Sequence, residues 1–468
     1  MKAKVSKTYL VFIAVLTAIA ATVALTSCQT GGESSSQRTT AAASAATQDE
    51  AAAATLPEGS GSAKLTESDI AVNETIENAE DGGHAIVADG ETLSYANVRV
   101  NKTGEADGDE ADFYGENAAV YAANGGTLTL KDMVVKTDGT HANAVFSYGE
   151  GTTVNIANAY IETSGNCSGG LMTTGGGTMN AENLTINTSG NSSAAIRSDR
   201  GGGTVNVTGG NYTTSGTGSP VIYSTADITV SDATMTSTAS QGVVVEGKNA
   251  VTLNNVNLTA DNNKKNSDKS SRYQAVMIYQ SMSGDAAEGA SRFAMNGGTL
   301  TNQNGDVFFI NNTATEITLN NAQITNNGNG VFLRAAAAGW GSEGSNGGQV
   351  TLNASNQIIN GDMIVDSVSH LNLYLSNNAS FTGAINSSGQ DGEVYVEIED
   401  GSIWTLTGDS YITGMTCGAN AINLNGHKLF IDGTSYTEGS ASFGDPIAVQ
   451  STGNGHGGGN PPAKPEND

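Results

Sequence analysis

Apolar residues in this chain fall in a short strand rhythm that recurs along most of its length. The segments LTLKDMVV (128–135), VNIANAYI (154–161), MNAENLTI (179–186), VNVTGGNY (205–212), ITVSDATM (228–235) and VTLNNVNL (251–258) align without gaps. FAMNGGTL (293–300) and ITLNNAQI (317–324) continue the series. The shared pattern is apolar-x-apolar-x-[Asn/Asp/Gly]-x-x-apolar. Its fifth position is Asn97, Asp132, Asn158, Asn183, Gly209, Asp232, Asn255, Gly297, Asn321, Ala354, Asn377, Asp400 and Gly426. Steps between these are mostly 23–26 residues, with three longer ones of 35, 42 and 33. Alternation on either side of the fifth position predicts half-buried strands. Asn, Asp and Gly are the residues that tolerate left-handed backbone, so each repeat carries one sharp bend.

A second strand recurs in each repeat, at AAVYA (118–122), NAVFS (143–147), AAIRS (194–198), PVIYS (220–224), GVVVE (242–246), AVMIY (275–279), DVFFI (306–310) and GVFLR (330–334). A unit of about 24 residues with two or three short strands cannot form a core alone, but a stack of such units can, each strand pairing with the one a turn below. The expected fold is therefore all-β: a solenoid of about 12–13 coils, roughly 60 Å long at ordinary strand spacing. Only alternate residues need be apolar in such a stack, which explains how a segment as polar as GGTVNVTGGNYTTSG (202–216) can belong to it.

Over about 93–440 the pattern resembles the right-handed parallel β-helix of the pectate-lyase type, in particular adhesin-like surface lipoproteins of bacteria. The resemblance rests on repeat length and the Asx/Gly bend, which are fold signals and not activity signals. It implies an N-terminal cap at 65–92 and a C-terminal cap at 427–446, within a β-helix unit spanning 65–446.

The N-terminus changes the picture of where the protein works. Three lysines in MKAKVSK precede the apolar run TYLVFIAVLTAIAATVA, as in a secretory signal. The ending Leu25-Thr26-Ser27-Cys28 resembles the lipobox of bacterial lipoproteins. This implies a signal peptide at 1–27, lipidation of Cys28 and a membrane anchor. Residues 28–64 read as a flexible Ser/Thr/Ala/Gly tether and 447–468 as a disordered tail. The expected location is extracytoplasmic, lipid-anchored at the cell surface. The chain has 47 Asp and Glu against 20 Lys and Arg, a balance that argues against nucleic acid as a partner.

The long steps mark insertions at 102–117, 262–274, 280–291 and 335–348, all flanking the second strand and so expected on one face. On that face the outward positions stack as Tyr121, Phe146, Met172, Arg197 and Tyr223, with Tyr148 beside them and Trp340 on a loop. Tyr121, Phe146, Tyr148, Tyr223 and Trp340 are the candidate glycan-stacking residues. Asp107, Asp109 and Asp112 concentrate hard oxygen donors suited to calcium, although without EF-hand order. No cofactor is otherwise required. Arg197 with Asp199 and Glu246 comes nearest to the base and carboxylates that the resemblance would imply for a lyase. No Ser/His/Asp, P-loop or zinc spacing accompanies them. The function expected is binding of a polysaccharide or host glycan, adhesin-like. The alternative is a β-helix polysaccharide lyase or glycoside-processing enzyme.

With Cys28 taken by lipid, Cys167 and Cys417 lie many repeats apart, far beyond the roughly 7 Å reach of a disulfide. Titration of the unreduced mature protein should count two free thiols; a count of none would overturn the repeat assignment.

Overall fold

The computed structural model describes residues 64–449 except 267, 268, 270, 271 and 390. The signal sequence, Cys28, all of the tether before residue 64 and the tail beyond residue 449 lie outside the described residues. The described chain is all-β, with one short helix, Asp109–Tyr114, and one 3-10 turn, Glu67–Asp69. Its strands form long parallel sheets of 20 and 11 strands, followed by smaller ones of 4 and 3. This is the arrangement compatible with a parallel β-helix.

Pairing follows the repeat. Strand Thr153–Thr163 pairs in parallel with Gly177–Thr188, and that strand with Gly203–Thr208, so that Asn155, Asn180 and Asn206 are register partners. Backbone groups of one repeat are thus satisfied by the next, a condition buried N–H and C=O groups must meet. The alternation sends Leu128, Val154, Met179, Val205, Ile228 and Val251 into one column, all buried. In the 11-stranded sheet Val120, Val145, Leu171, Ile196, Ile222 and Val243 form a second buried column. Both belong to a single continuous apolar core. Each such side chain contributes about 1.5–3 kcal/mol on burial, so a thin interior suffices when it is repeated along the stack.

The bend residues take the left-handed backbone their chemistry allows. Asn97, Asp132, Asn158, Asn183, Gly209, Asp232, Asn255, Gly297, Asn321 and Asn377 all have φ between 51° and 70°. Their side chains also bond along the column: Asn183 Nδ2 donates to Asn158 Oδ1 at 2.9 Å, and Asn255 Nδ2 to Asp232 Oδ1 at 2.8 Å. Two assignments shift. Ala354 is a buried strand residue paired with Leu319 and Leu375, and the bend falls on Asn356, with φ of 48°. Near Asp400 the left-handed residue is Gly401. In both places a left-handed-tolerant residue stands close by and takes the turn.

The segments expected as caps are themselves built of strands. Segment 65–92 already supplies paired strands: Glu74–Asn78 lies beside Val98–Lys102, and Ile86–Asp89 beside Val120–Ala123. The repeat therefore starts earlier than its sequence pattern, which few inward residues mark there. At the other end Leu429–Ile431 pairs antiparallel with Thr434–Ser435, and Ser442 bridges antiparallel to Cys417. Reversed strands of this kind cover an otherwise open edge. Cys167 and Cys417 are both free thiols.

One column was not singled out in the pattern. At Gly139, Gly165, Gly190 and Gly216 an added Cβ would meet the carbonyl oxygen of the glycine one repeat earlier at 1.8–2.0 Å. Backbone packs on backbone there, leaving no room for any side chain. Gly190→Ala should cost more than about 3 kcal/mol. Gly426→Ala, left-handed but facing open space, should cost about 1–2 kcal/mol. Urea midpoints of the two variants check this, and equal losses would refute the packing argument.

Candidate functional site

The outward column of the 11-stranded sheet runs Val87, Tyr121, Phe146, Met172, Arg197, Tyr223, Val244, Met277 and Phe309 in register. The aromatic ladder is therefore in line, but it is covered. Tyr121 is 5% exposed and Phe146 fully buried. They pack with Ala118, Ala123, Met172 and Tyr148 as a small second core. The first insertion lies on top. Its helix Asp109–Tyr114 ends at Gly115, where an added Cβ would strike the Tyr121 and Phe146 rings at 2.6 and 2.9 Å. Tyr114 meets Tyr148 edge-on at 5.6 Å, and His84 stacks on Tyr121 at 4.5 Å. Trp340 packs on Tyr279 at 4.9 Å, within a third cluster that includes Val244, Met277 and Phe309. Strand alternation shows which residues point away from the main core. It does not show whether an insertion folds back over them.

Between the two covered patches the column changes character at Arg197 and Tyr223, and a cleft of about 250 Å³ opens. Phe113, Asn266 and Asp285 line it, one from each of the first three insertions, together with Arg197, Asp199 and Tyr223. The insertions thus share a face and converge on one place.

Charges in the cleft are tightly paired. Arg197 Nη2 donates to Asp199 Oδ2 at 2.8 Å, while Arg197 Nη1 is a buried donor without a hydrogen-bond partner. Burial pushes the Asp199 carboxyl up to about 6; Arg197 opposes that rise, and Asp285 and Glu246 add to it. Burial also disfavours the Arg197 cation, but Asp199 and Asp112 outweigh it and hold the guanidinium charged. Arg200 Nε donates to Asp285 at 2.6 Å, its Nη1 to Asp109 at 3.1 Å, and its guanidinium lies 3.6 Å from the Phe113 ring centre. This one side chain ties two insertions to the sheet.

Behind Tyr223 sits Glu246, 1% exposed. Its Oε2 accepts from the Tyr223 hydroxyl and, at 2.9 Å, from the Tyr279 hydroxyl. Burial raises the Glu246 carboxyl against the hydrogen bonds of Ser281, Tyr223 and Tyr279. Arg197, Asp199 and Glu246, singled out in the sequence, are thus near neighbours. Phe113, Arg200, Asn266 and Asp285 were missed as site residues. Arg200 and Asp285 are 85 residues apart, and no local signal links them.

The three aspartates of the acidic loop part company. Asp107 is exposed, Asp109 pairs with Arg200, and Asp112 turns to His141. They share no common point for calcium among the described residues. His141 Nδ1 lies 3.0 Å from Asp112 Oδ1. Burial pushes Asp112 up, but His141, Arg197 and Arg200 outweigh it and hold the carboxyl below its usual range. Asp112 first, then Cys167, raise His141 to about 9.

A histidine raised in the folded state adds stability that is fully present below its ordinary value near 6.5 and is lost as pH climbs through about 9. In chelator-containing buffer, unfolding free energy should therefore fall by about 1–2 kcal/mol between pH 6.5 and 9.5, allowing for solvent screening. Asp112→Asn should flatten that fall; an unchanged slope would remove the Asp112–His141 pair as its cause.

Compared with known proteins, the chain matches no family model, no curated protein and no solved structure.

Proposed function

We propose that this protein is a lipid-anchored, extracytoplasmic right-handed parallel β-helix that binds a polysaccharide or surface glycan at its insertion-bearing face, in an adhesin-like role. Support for the fold comes from the parallel in-register pairing between repeats and from the left-handed bend residue each repeat carries. The anchor rests on the Leu-Thr-Ser-Cys ending at Cys28.

One observation carries the binding reading: three separate insertions meet around a polar cleft with aromatic walls. A sugar ring presents an apolar face and a rim of hydroxyls, and a site for it pairs flat apolar surface with a few fixed polar groups. Tyr223 and Phe113 supply the former; Arg197 Nη1, Asp199, Asp285 and Asn266 supply the latter. In this reading Tyr223 is the stacking residue, while Tyr121, Phe146, Tyr148 and Trp340 seat the surrounding loops.

A glycoside-processing enzyme is the second reading, favoured by two buried carboxyls, Asp199 and Glu246, that burial pushes up toward the range of a general acid.

A glycan array with the mature protein should show retention of an extended glycan. Asn266→Ala combined with Asp285→Ala should weaken it about 10–100-fold, the worth of two or so hydrogen bonds; loss of the Arg200–Asp285 pair lowers the unfolding midpoint, and circular dichroism checks that the variant is still folded. Absence of retention, or full retention by the double variant, would sink the proposal. Release of reducing ends or unsaturated uronates, abolished by Glu246→Gln, would instead establish the enzyme.

A further inference from the structure

Three side chains of different donor type meet under the first insertion, beside the glycan cleft. Asp112 comes from the helix Asp109–Tyr114. His141 and Cys167 each stand two residues after a glycine of the crowded column, Gly139 and Gly165, and each has φ of 55°. They hold equivalent places in consecutive repeats: His141 N donates to Asn166 O at 2.9 Å, and Cys167 N to Asn191 O at 2.8 Å. Equivalent places one strand spacing apart bring their side chains together. A carboxylate oxygen, an imidazole nitrogen and a sulfur consequently lie within 4.8 Å of one another. Among the described residues no other group of three metal-ligating side chains meets so closely.

We propose that Asp112, His141 and Cys167 bind one thiophilic divalent transition-metal ion, with zinc the ion they fit best. The donor set decides the class. Calcium and magnesium take oxygen ligands, whereas a thiolate and an imidazole select zinc and its neighbours. A tetrahedral zinc site with bonds of about 2.0–2.3 Å places its ligand atoms about 3.4–3.8 Å apart. At separations of no more than 4.8 Å, the ligand atoms need shift by only about 1 Å to reach it, within the reach of side-chain rotation. Thiolate and neutral imidazole are the ligating forms, so binding is accompanied by proton release.

The surroundings accommodate such an ion. His141 is 7% exposed, while Asp112 and Cys167 are half-buried. Three protein ligands with solvent at hand match a site that keeps its fourth position open to water, not a closed structural one. Arg197 lies 3.9 Å from Asp112 Oδ1 but is already paired with Asp199 at 2.8 Å. The site adjoins the cleft, because Ser192, the next residue in the same left-handed column, lines it. Only Asp112 is shared with the calcium reading of the acidic loop.

Sequence spacing hid this site. The three residues stand 29 and 26 positions apart, one repeat and a little more, and no short zinc motif spans them.

The test titrates the mature protein with Co²⁺ and then displaces it with Zn²⁺. The expected result is one ion per chain, with a thiolate-to-cobalt charge-transfer band that zinc abolishes. Cys167→Ser and His141→Asn should each weaken binding by at least about 100-fold, since even residues outside the ligand shell are worth 10–100-fold. Both replacements suit the left-handed backbone, as Ser192 and the column of Asn bends already do, and circular dichroism of each variant checks that it folds. Cys417→Ser should leave the band unchanged. Absence of a saturable band, its survival in Cys167→Ser, or its loss in Cys417→Ser would each overturn the proposal. Because the readout is spectroscopic, its outcome is independent of whether any glycan binds.

Discussion

Hydrogen bonding between one repeat and the next, in parallel and in register, is the constraint on which everything else in this protein depends. It fixes which residue stands over which. Once Asn155, Asn180 and Asn206 are partners, the inward columns are determined, and so are the outward ones. A stack built this way gains stability by repetition instead of by a thick interior, and each repeat contributes through its contact with its neighbours. That is why a chain so poor in charge and bulky apolar residues can still order several hundred residues.

The same constraint explains how much could be read beforehand. Period, strand positions and most bends were legible, because one residue class recurs wherever the backbone must turn left-handed. The exceptions are instructive. Ala354 kept the spacing but lacked the chemistry, and the bend moved to Asn356. The glycines of the crowded column were visible as residues, yet nothing in the sequence says that Gly190 faces a carbonyl and not solvent.

The insertion-bearing face was legible only in outline. That four insertions flank one strand could be inferred from step lengths. What they do on arrival could not. The Tyr121–Phe146 ladder reads as an open platform by alternation, but the helix Asp109–Tyr114 closes over it. Insertions carry their own apolar residues, and those residues seek the nearest exposed apolar surface. The polar cleft survives where the ladder itself turns polar, at Arg197, and there side chains far apart in sequence, such as Arg200 and Asp285, are joined.

The glycine column has a consequence for how such a stack avoids misassembly. Strands of similar sequence could pair one residue out of step, and a periodic chain offers many such near-equivalent matches. A slip at this turn would bring Thr140 or Ser164 where only bare backbone fits, and the error would be rejected by collision, not by a small loss of contact. The tight points at Gly139, Gly165, Gly190 and Gly216 thus act as a steric check on alignment, one for each of these repeats.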